Sequence, residues 1–400
     1  MSTDRMRAAT WCMLLSLIGL GLSGYLAYLH LGLLRGELLG GAACSGSGAF
    51  NCHAVTGGNW GQLFGMPLAL WGAIGYVTVL ALALFARQSD ETAEAATTLL
   101  VVLSTGFVLA DAGLFLLMAF VIRFYCLFCL LTYAVNIVLL IVSLRAFGAP
   151  WARAFAQAPA ALQALAPSRP HSDAGLFWGL VAAGIAGAVS VHAATTFVSQ
   201  GSAGAMRKQV REFALRQNRV TVDVAGDPRL GSPAAPIQLI EFSDFYCPAC
   251  QRASKFNTIM LAGRRRDATF VFKHFPLDTA CNDKVTRLVH AGACKVAAAS
   301  ECAHEQGQFW PFHDMVFGQG ATYNLNNLEG DVTRLGIDLT RFRACLDSGR
   351  GMEAVKRDIA EAGKIQVTST PTYIVNGIPM AGGLSPAVFE EIVAVLQELQ

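Results

Sequence analysis

Charged residues are scarce in this chain, and those it has are nearly balanced. Asp, Glu, Lys and Arg make up 14% of the 400 residues, hydrophobic residues make up 54%, and the formal net charge is +2. So small a net charge gives no reason to expect a nucleic-acid partner. The apolar excess instead indicates a membrane protein with a soluble part attached.

Charge is almost absent from five long apolar runs in the first half of the chain. These runs cover Ala8–Leu34, Met66–Ala86, Ala95–Ile122, Phe124–Phe147 and Gly175 to about Val198. Each is near or above the ~20 residues that a helix needs to cross the hydrocarbon of a membrane. The first run is longer than the apolar core of a cleaved signal peptide, which favours a retained helix. We therefore predict five membrane-spanning helices.

Arginines near the ends of these runs predict the orientation of the protein. Only Arg35 and Arg123 fall on one side, whereas the other side carries Arg5, Arg7, Arg87, Arg145, Arg153 and Arg169. Lys and Arg accumulate in the cytoplasmic loops of membrane proteins. We therefore expect the protein in the inner membrane, with its N-terminus in the cytoplasm. Everything after the fifth run is then expected on the periplasmic or extracytoplasmic side.

Cysteine, unlike charge, is plentiful, and ten of the eleven residues fall into groups. The groups are Cys44 with Cys52, Cys126 with Cys129, Cys247 with Cys250, and the set Cys281, Cys294, Cys302 and Cys345. Cys12 is left over inside the first run and is interpreted as a packing residue. This usage indicates an oxidising compartment or redox chemistry, and the predicted topology places all three pairs on the outer face. Zinc is disfavoured because a closed tetrathiolate site at a membrane helix would lack partners.

The pair Cys126 and Cys129 stands at the start of the fourth apolar run. Two thiols on the first turn of a helix can form a disulfide, and the helix N-terminus favours the thiolate. Electrons that arrive there could pass to a lipid-soluble acceptor, although two small cysteines that merely pack are the plainer alternative. Asp111 is the only ionisable residue of the third run and is either functional or a hydrogen-bonded packing residue.

The last part of the chain has the pattern of an α/β domain. A buried strand is predicted at Ile237–Phe242, and it leads through Cys247-Pro-Ala-Cys250 into a helix that runs to about Ala262. Further strands are predicted at Ala268–Phe275 and Thr372–Asn376. A strand–Cys-x-x-Cys–helix unit is typical of a thioredoxin-like fold. The helix start should lower the pKa of Cys247, so that its thiolate would attack the partner's sulfur and Cys250 would resolve the mixed disulfide. A purely structural disulfide between the two is the alternative.

These patterns predict four regions. They are a membrane domain at 1–148, a cytoplasmic connection with the fifth span at 149–199, a tether at 200–235, and an α/β domain at 236–400. The predicted fold class is an all-α membrane helix bundle, with a four-helix redox core plus a fifth span, followed by a thioredoxin-like domain with a helical insertion. A short basic helix at Met206–Gln217 is expected inside the tether.

From about Ala235 onward the sequence resembles the DsbA-like thioredoxin-fold proteins. The resemblance is carried by Phe245-Tyr-Cys-Pro-Ala-Cys250, Lys273–Leu277, Gln308–Trp310 and Thr370–Gly377. It implies that Pro371 is a cis-proline that lies against the dithiol and helps to dock substrate, and that Glu241 is a buried acid that assists proton transfer. Pro-Ala replaces Pro-His between the cysteines, which leaves the redox potential open. The four later cysteines are expected in structural disulfides, with three possible pairings.

The segment from about Arg7 to Leu144 resembles the vitamin K epoxide reductase family. The resemblance is carried by Cys44 and Cys52 in the first outer loop, by Phe64-Gly-Met-Pro67, and by Cys126 and Cys129 followed by Thr132-Tyr-Ala-Val-Asn136. It implies that the loop pair passes electrons to the membrane pair, which reduces a quinone, either ubiquinone or menaquinone. Cys52 would attack toward Cys126, Cys129 would face the quinone, and Tyr133 would hydrogen-bond it. One departure is Gly58, where many members carry a serine.

Joined together, the two resemblances predict a fused oxidase that forms disulfides. Its partners would be exported proteins with free thiols and the quinone pool of the membrane. Two alternatives stay open. The same relay could run in the other direction as a reductase or isomerase, or the protein could be a membrane-anchored chaperone or binding module whose disulfides are structural.

Overall fold

The computed structural model describes residues 3–41, 44, 49–87, 90–165, 172–264 and 266–398. Arg169, one of the arginines used to predict the orientation, lies outside the described residues. The chain divides into two compact units, Met1–Ser202 and Ala203–Gln400.

Five helices in the described part of the chain are long and apolar enough to cross a membrane, which confirms the predicted number of spans. Their apolar segments are Arg5–Leu34, Leu68–Phe85, Ala93–Ile122, Leu127–Phe147 and Phe177–Ala194. The helices that contain them run over Thr3–Leu34, Leu68–Phe85, Asp90–Leu116, Leu127–Phe147 and Ser172–Arg216. The helix Asp90–Leu116 continues as a π-helical turn, Leu117–Ile122.

Four of these helices pack together as the predicted core. The first helix packs against the second and the fourth, and the third packs against the second and the fourth. Small residues allow this close approach, as is common between membrane helices. A Cβ atom added to Gly19 would lie 2.3 Å from the ring of Tyr76, so the ring of Tyr76 packs directly on the backbone of the first helix. Cys12 is buried in this core, as predicted.

Short elements lie between the long helices of the first unit. They are the helix Cys52–Thr56, the 3-10 turn Asn59–Gly61, a hairpin of β1 (Gln62–Leu63) and β2 (Met66–Pro67), and the helix Trp151–Ala164. The turn of the hairpin contains Phe64, whose side chain is 87% exposed.

The second unit is built on a five-stranded sheet. Its strands are β3 (Arg229–Leu230), β4 (Ile237–Ser243), β5 (Ala268–His274), β6 (Thr372–Val375) and β7 (Ile378–Ala381), in the spatial order β3-β5-β4-β6-β7. β4 is central, parallel to β5 and antiparallel to β6. Nearly every residue of β4 is buried because helices cover both faces of the sheet. This arrangement confirms the predicted thioredoxin-like fold.

The helical insertion lies between β5 and β6. Its helices are Ala293–His304, Phe309–Gln319, Leu328–Arg334, Leu339–Asp347 and Arg350–Lys364. The disulfides Cys281–Cys294 and Cys302–Cys345 select one of the three possible pairings. The helices Pro248–Leu261 and Pro386–Glu398 complete the unit.

Two local expectations need correction. The separate helix expected at Met206–Gln217 is instead the last part of the long helix Ser172–Arg216, so residues 200–216 of the predicted tether are helical. The small residues that open this stretch do not interrupt the helix, which ends at Arg216. The fourth membrane helix begins at Leu127, three residues later than the apolar run, because Phe124, Tyr125 and Cys126 are extended.

Candidate active site

Cys247 and Cys250 lie where the central strand β4 is followed by the helix Pro248–Leu261. Cys247 is the N-cap residue of that helix and is 7% exposed, whereas Cys250 is fully buried one turn further on. In its thiol form Cys247 donates a hydrogen bond to the carbonyl oxygen of Thr370, with 3.5 Å between the sulfur and the oxygen. The peptide bond between Thr370 and Pro371 is cis. The role of Pro371 in docking substrate stays a prediction.

The two thiols of this pair have opposite acid–base properties. Interaction with the Cys250 thiol and with backbone N–H groups of the first helical turn lowers the pKa of Cys247 to about 5, against the opposing effect of burial. Burial raises the pKa of Cys250 well above its ordinary value. At neutral pH, Cys247 is therefore the thiolate that can attack a disulfide, and Cys250 is a thiol that must lose a proton before it can react.

Glu241 is a buried acid close to this pair. It lies on β4, is 1% exposed, and accepts a hydrogen bond through Oε2 from the side-chain amide of Asn257. The phenol of Tyr373 donates to Asn257 Oδ1 at 2.9 Å, which fixes the orientation of the amide. Burial raises the pKa of Glu241 to about 7, against the lowering effect of its hydrogen bonds. A carboxyl with such a pKa can both take and return a proton at neutral pH.

The four cysteines of the membrane unit are brought together in one cluster. Cys44, Cys52 and Cys126 are fully buried, and they pack with Cys129 and Tyr133. Interaction with Cys126 raises the pKa of Cys52, and burial followed by interaction with Cys52 raises the pKa of Cys44 to about 12. Cys52 therefore interacts both with Cys44 and with Cys126.

Backbone hydrogen bonds hold the loop cysteines against the membrane pair. The N–H of Asn51 donates to the carbonyl oxygen of Tyr125 at 2.9 Å, and the N–H of Tyr125 donates to Ala49 at 2.8 Å. Asn51 immediately precedes Cys52, and Tyr125 immediately precedes Cys126. These two hydrogen bonds therefore align Cys52 with Cys126. Cys126 is the N-cap of the fourth membrane helix, and its sulfur accepts a hydrogen bond from the Cys129 N–H at 3.2 Å.

A cavity of about 300 Å³ opens beside this cluster among the membrane helices. Cys129 and Tyr133 form part of its wall, one helical turn apart on the same face of the fourth helix. Most of the lining is apolar and includes the rings of Trp60, Trp71 and Phe107. The volume is at the lower end of the range for small-molecule sites, and an apolar lining with a few polar groups is typical of them.

Three polar side chains on the cavity wall form a hydrogen-bonded row. The phenol of Tyr76 donates to Asn136 Oδ1 at 2.7 Å, and the amide of Asn136 donates to Asp111 Oδ2 at 2.8 Å. Asp111 is therefore hydrogen-bonded and also borders the cavity. Its functional role stays a prediction. The row requires residues from three different helices, which no single sequence motif contains.

Comparison with known families agrees with both halves of this geometry. Residues 10–144 match the model of the vitamin K epoxide reductase family, and residues 238–394 match the model of the DSBA-like thioredoxin domain. Each of these two parts of the chain thus matches one family model. These matches confirm the two family resemblances found in the sequence.

Curated relatives match only part of the chain. The Na(+)/H(+) antiporter NhaA 1 of Salinispora arenicola is 34% identical over 158 residues, which are 40% of this chain and 23% of that protein. NhaA of Herminiimonas arsenicoxydans is 34% identical over 161 residues, or 40% and 24% of the two chains. The chain thus spans about a quarter of the length of these relatives.

Two solved structures are similar to part of the chain. A thioredoxin-like oxidoreductase from Silicibacter pomeroyi is 20% identical, with 44% of this chain and 94% of that one covered and a TM-score of 0.38. BdbD from Bacillus subtilis is 23% identical, with 46% and 98% covered and a TM-score of 0.37.

In the DsbA-like domain, sequence reasoning missed Asp244 and His290. Asp244 Oδ2 accepts hydrogen bonds from His290 Nδ1 and from the Leu277 N–H, at 2.8 and 2.7 Å, and its backbone carbonyl accepts one from the Cys247 N–H at 3.0 Å. The hydrogen bond to Asp244 raises the pKa of His290, and the Cys247 thiolate adds to the rise. A histidine whose pKa is raised therefore lies near Cys247, although the dipeptide Pro-Ala supplies no histidine. The one signal for this interaction in the sequence was that the dipeptide between Cys247 and Cys250 lacks a histidine.

In the vitamin K epoxide reductase domain, sequence reasoning did not single out His53 as functional. This side chain is fully buried next to Cys52, and its Nε2 lies 2.7 Å from the carbonyl oxygen of Leu39. Because a carbonyl oxygen only accepts, Nε2 carries the proton and Nδ1 is a bare acceptor. Nδ1 has no hydrogen-bond partner among the described residues. Burial lowers the pKa of His53 and keeps the ring neutral.

Proposed function

We propose that this protein is a membrane thiol:disulfide oxidoreductase that forms disulfides in exported proteins. In this proposal Cys247 and Cys250 take electrons from substrate thiols and pass them to Cys44 and Cys52. Cys126 and Cys129 receive them next and deliver them to a quinone. The observation that carries the proposal is the buried cluster of Cys44, Cys52 and Cys126 with Cys129, which ends at the cavity wall.

Each transfer in this relay is a thiol–disulfide exchange. A thiolate attacks one sulfur of a disulfide, a new S–S bond forms, and the old one breaks with release of a thiolate. Two such exchanges transfer one electron pair. They oxidise one dithiol to a disulfide and reduce the next disulfide of the relay to a dithiol. The low pKa of Cys247 makes it the entry thiol. The packing of Cys52 against Cys126 in the buried cluster supports Cys52 as the donor to the membrane pair.

The cavity fits a quinone head group by size and chemistry. Trp60, Trp71 and Phe107 offer flat apolar surfaces, and the Tyr133 phenol can donate a hydrogen bond to a quinone oxygen. A bound quinone would accept two electrons and two protons, which balances the oxidation of one dithiol. Tyr133 would orient the ring next to Cys129, while the row of Tyr76, Asn136 and Asp111 supplies hydrogen-bonding groups on the cavity wall.

We further propose that the thioredoxin-like domain lies on the periplasmic or extracytoplasmic side of the inner membrane. Five candidate spans and the excess of arginine on one side support this orientation. Labelling of intact spheroplasts with an impermeant maleimide under mild reduction tests it. Label on Cys247, with a cytoplasmic control protein unlabelled, is the expected result. Label on Cys247 only after lysis would contradict the orientation.

Turnover by the purified full-length protein tests the proposed activity. Reduced, unfolded ribonuclease A and a short-chain ubiquinone are added, and quinone absorbance and protein thiols are followed together. We expect two thiols lost for each quinone reduced, with turnover abolished in Cys247→Ala and Cys129→Ala. Cys12→Ala is the matched control, because this buried cysteine lies outside the cluster and should not affect turnover.

The alternative functions give different results in the same assay. A reductase or isomerase would show no net loss of thiols with quinone and would instead produce thiols when quinol is supplied. A chaperone or binding module would protect unfolded ribonuclease A from aggregation equally well with and without Cys247. Either pattern would contradict the proposed oxidase.

A further inference from the structure

Two buried oxygen atoms near the soluble dithiol have no hydrogen-bond partner among the described residues. They are Glu241 Oε1 and Ser243 Oγ. Both residues belong to β4 and are 1% exposed. Buried polar atoms in folded proteins are almost always hydrogen-bonded, so a pair of them without partners calls for an explanation.

The alternation of side chains along β4 places Glu241 and Ser243 on one face of the sheet. Ile240 and Phe242 pack into a cluster on the other face with Val271 and Ile374. Since successive strand residues point to opposite faces, Glu241 and Ser243 share the remaining face. The hydrogen bond from Asn257 to Glu241 shows that this face is covered by the helix Pro248–Leu261.

The position of Ser243 follows from the directions of the strand and the helix. Cys250 and Asn257 are seven residues apart, or about two turns, so they lie on one face of the helix. The strand runs toward the dithiol and the helix runs back over it, which places Ser243 at the Cys250 end and Glu241 at the Asn257 end. The Ser243 hydroxyl therefore lies between the carboxyl group of Glu241 and the thiol of Cys250.

Electrostatics agree with this position. Burial raises the pKa of Glu241 and of Cys250, and interaction with the Ser243 hydroxyl lowers the pKa of each. One hydroxyl thus lies close enough to both groups to shift their pKa values. It forms no aligned hydrogen bond with either in this structure, so the relay requires the Ser243 side chain to rotate into alignment. Asn257 occupies Glu241 Oε2, which leaves Oε1 as the oxygen available to Ser243.

We propose that the Ser243 hydroxyl relays a proton between the Cys250 thiol and Glu241 Oε1. The inference rests on the proposed function, in which Cys247 and Cys250 are a redox pair. A hydroxyl can donate and accept at once and rotates freely, so it can pass a proton in either direction. Ser243 is then a further catalytic residue of the soluble domain.

The relay accounts for every atom of the resolving step. Cys250 attacks the Cys247 sulfur of a mixed disulfide, an S–S bond forms between them, and the partner leaves as a thiolate with the electron pair of the broken bond. The Cys250 proton passes to Ser243 Oγ while the Ser243 proton passes to Glu241 Oε1. When a substrate thiolate later opens the Cys247–Cys250 disulfide, the Cys250 thiolate takes the proton back by the same route.

Stopped-flow reaction with Ellman's reagent isolates this step in the full-length protein. Five cysteines are first replaced by alanine so that only the soluble dithiol reacts; they are Cys12, Cys44, Cys52, Cys126 and Cys129. Attack by Cys247 releases one thionitrobenzoate at a rate that depends on reagent concentration. Attack by Cys250 then releases the second at a rate that does not. Mass spectrometry confirms that the disulfides Cys281–Cys294 and Cys302–Cys345 remain intact.

We expect Ser243→Ala to slow the second phase on the order of tenfold at neutral pH and to leave the first phase unchanged. Glu241→Gln should slow the second phase at least as much, and Ser243→Ala should add no further loss in the Glu241→Gln background. Ser300→Ala is the matched control, because Ser300 is a buried serine whose hydroxyl donates within its own helix to Ala297 at 2.8 Å. An unchanged first phase shows that the dithiol and its surroundings remain folded.

Two results would overturn the relay. A second phase as fast in Ser243→Ala as in the wild type would show that the hydroxyl carries no proton. Independent losses from Ser243→Ala and Glu241→Gln would show that the two residues do not act in one path. A wild-type protein without any second phase would overturn the redox pair itself, and with it the proposed function.

Discussion

The Asp244 carboxylate holds the His290 imidazole near the soluble dithiol, with 2.8 Å between Oδ2 and Nδ1. The same Asp244 accepts the Cys247 N–H through its backbone carbonyl. One residue therefore links the helix start that stabilises the thiolate to an imidazole contributed by a distant loop. That loop is closed by the disulfide Cys281–Cys294, which flanks His290 in the sequence.

Replacement of His290 should weaken the Cys247 thiolate. His290→Gln removes an imidazole whose protonated form is stabilised by Asp244 and by the Cys247 thiolate, so we expect the pKa of Cys247 to rise by up to about one unit. The pH dependence of iodoacetamide reaction at Cys247, followed by mass spectrometry of the full-length chain, measures this change. His304→Gln is the control, since this half-buried histidine contacts the carbonyl oxygen of Gly226 and the ring of Phe309. An identical titration midpoint in His290→Gln would contradict the assigned role.

Glu241 should make the stability of the soluble domain depend on pH. Its pKa is raised by burial from 4.5 to about 7, so the folded state binds the proton more tightly than the unfolded state. The resulting stability is fully present below pH 4.5 and is lost as the pH rises toward about 7. Glu241→Gln should therefore gain stability relative to the wild type across that interval, by several degrees in Tm. A difference in Tm that does not change with pH would contradict the raised pKa.

Much of this arrangement could be predicted from local sequence. The five spans follow from runs without charge, and the position of Cys247 follows from a strand that leads into a Pro-containing helix start. The pairing of Cys281 with Cys294 could not be predicted, because spacing alone leaves three connectivities. The same holds for His290, which reaches Asp244 through a loop with no regular pattern, and for the row of Tyr76, Asn136 and Asp111, which three separate helices assemble.

The start of the fourth helix shows why boundaries are harder to predict than elements. The apolar run begins at Phe124, yet the helix begins at Leu127. Arg123 adopts a left-handed backbone conformation, with φ of 62°, after the π-helical turn. The next residues are then extended and Tyr125 pairs with the loop that carries Cys52. This long-range pairing overrides the local hydrophobic pattern.

The two disulfides should stabilise the soluble domain to different degrees. Cys302–Cys345 closes a loop of 43 residues and Cys281–Cys294 one of 13. Loop-closure entropy predicts losses of about 4 and about 3 kcal/mol for the double alanine variants, the longer loop losing more. Pulse proteolysis of the full-length chain in urea measures both. A larger loss for Cys281→Ala/Cys294→Ala would mean that strain or local contacts, rather than loop length, decide the order.

Tyr133 should affect the use of quinone without affecting electron transfer to the membrane pair. Tyr133→Phe removes one neutral hydrogen bond, worth about 1 kcal/mol, so a loss of several-fold in kcat/KM for the quinone is expected. Electron transfer from Cys247 and Cys250 to Cys126 and Cys129 should be unchanged. Trapping of the free thiols at successive times measures this transfer. If Tyr133→Phe uses quinone as well as the wild type, the phenol does not contact it.

The central claim is that the soluble dithiol passes its electrons to the loop pair of the same chain. Removal of a resolving thiol preserves the mixed disulfide that it would have cleared. In Cys250→Ala, we expect a link from Cys247 to Cys44 or Cys52 to accumulate, and Cys250→Ala/Cys44→Ala/Cys52→Ala is the control that should lack it. Mass spectrometry of non-reduced digests detects the link. Links from Cys247 to foreign proteins alone would contradict the account, because the two domains would then not exchange electrons.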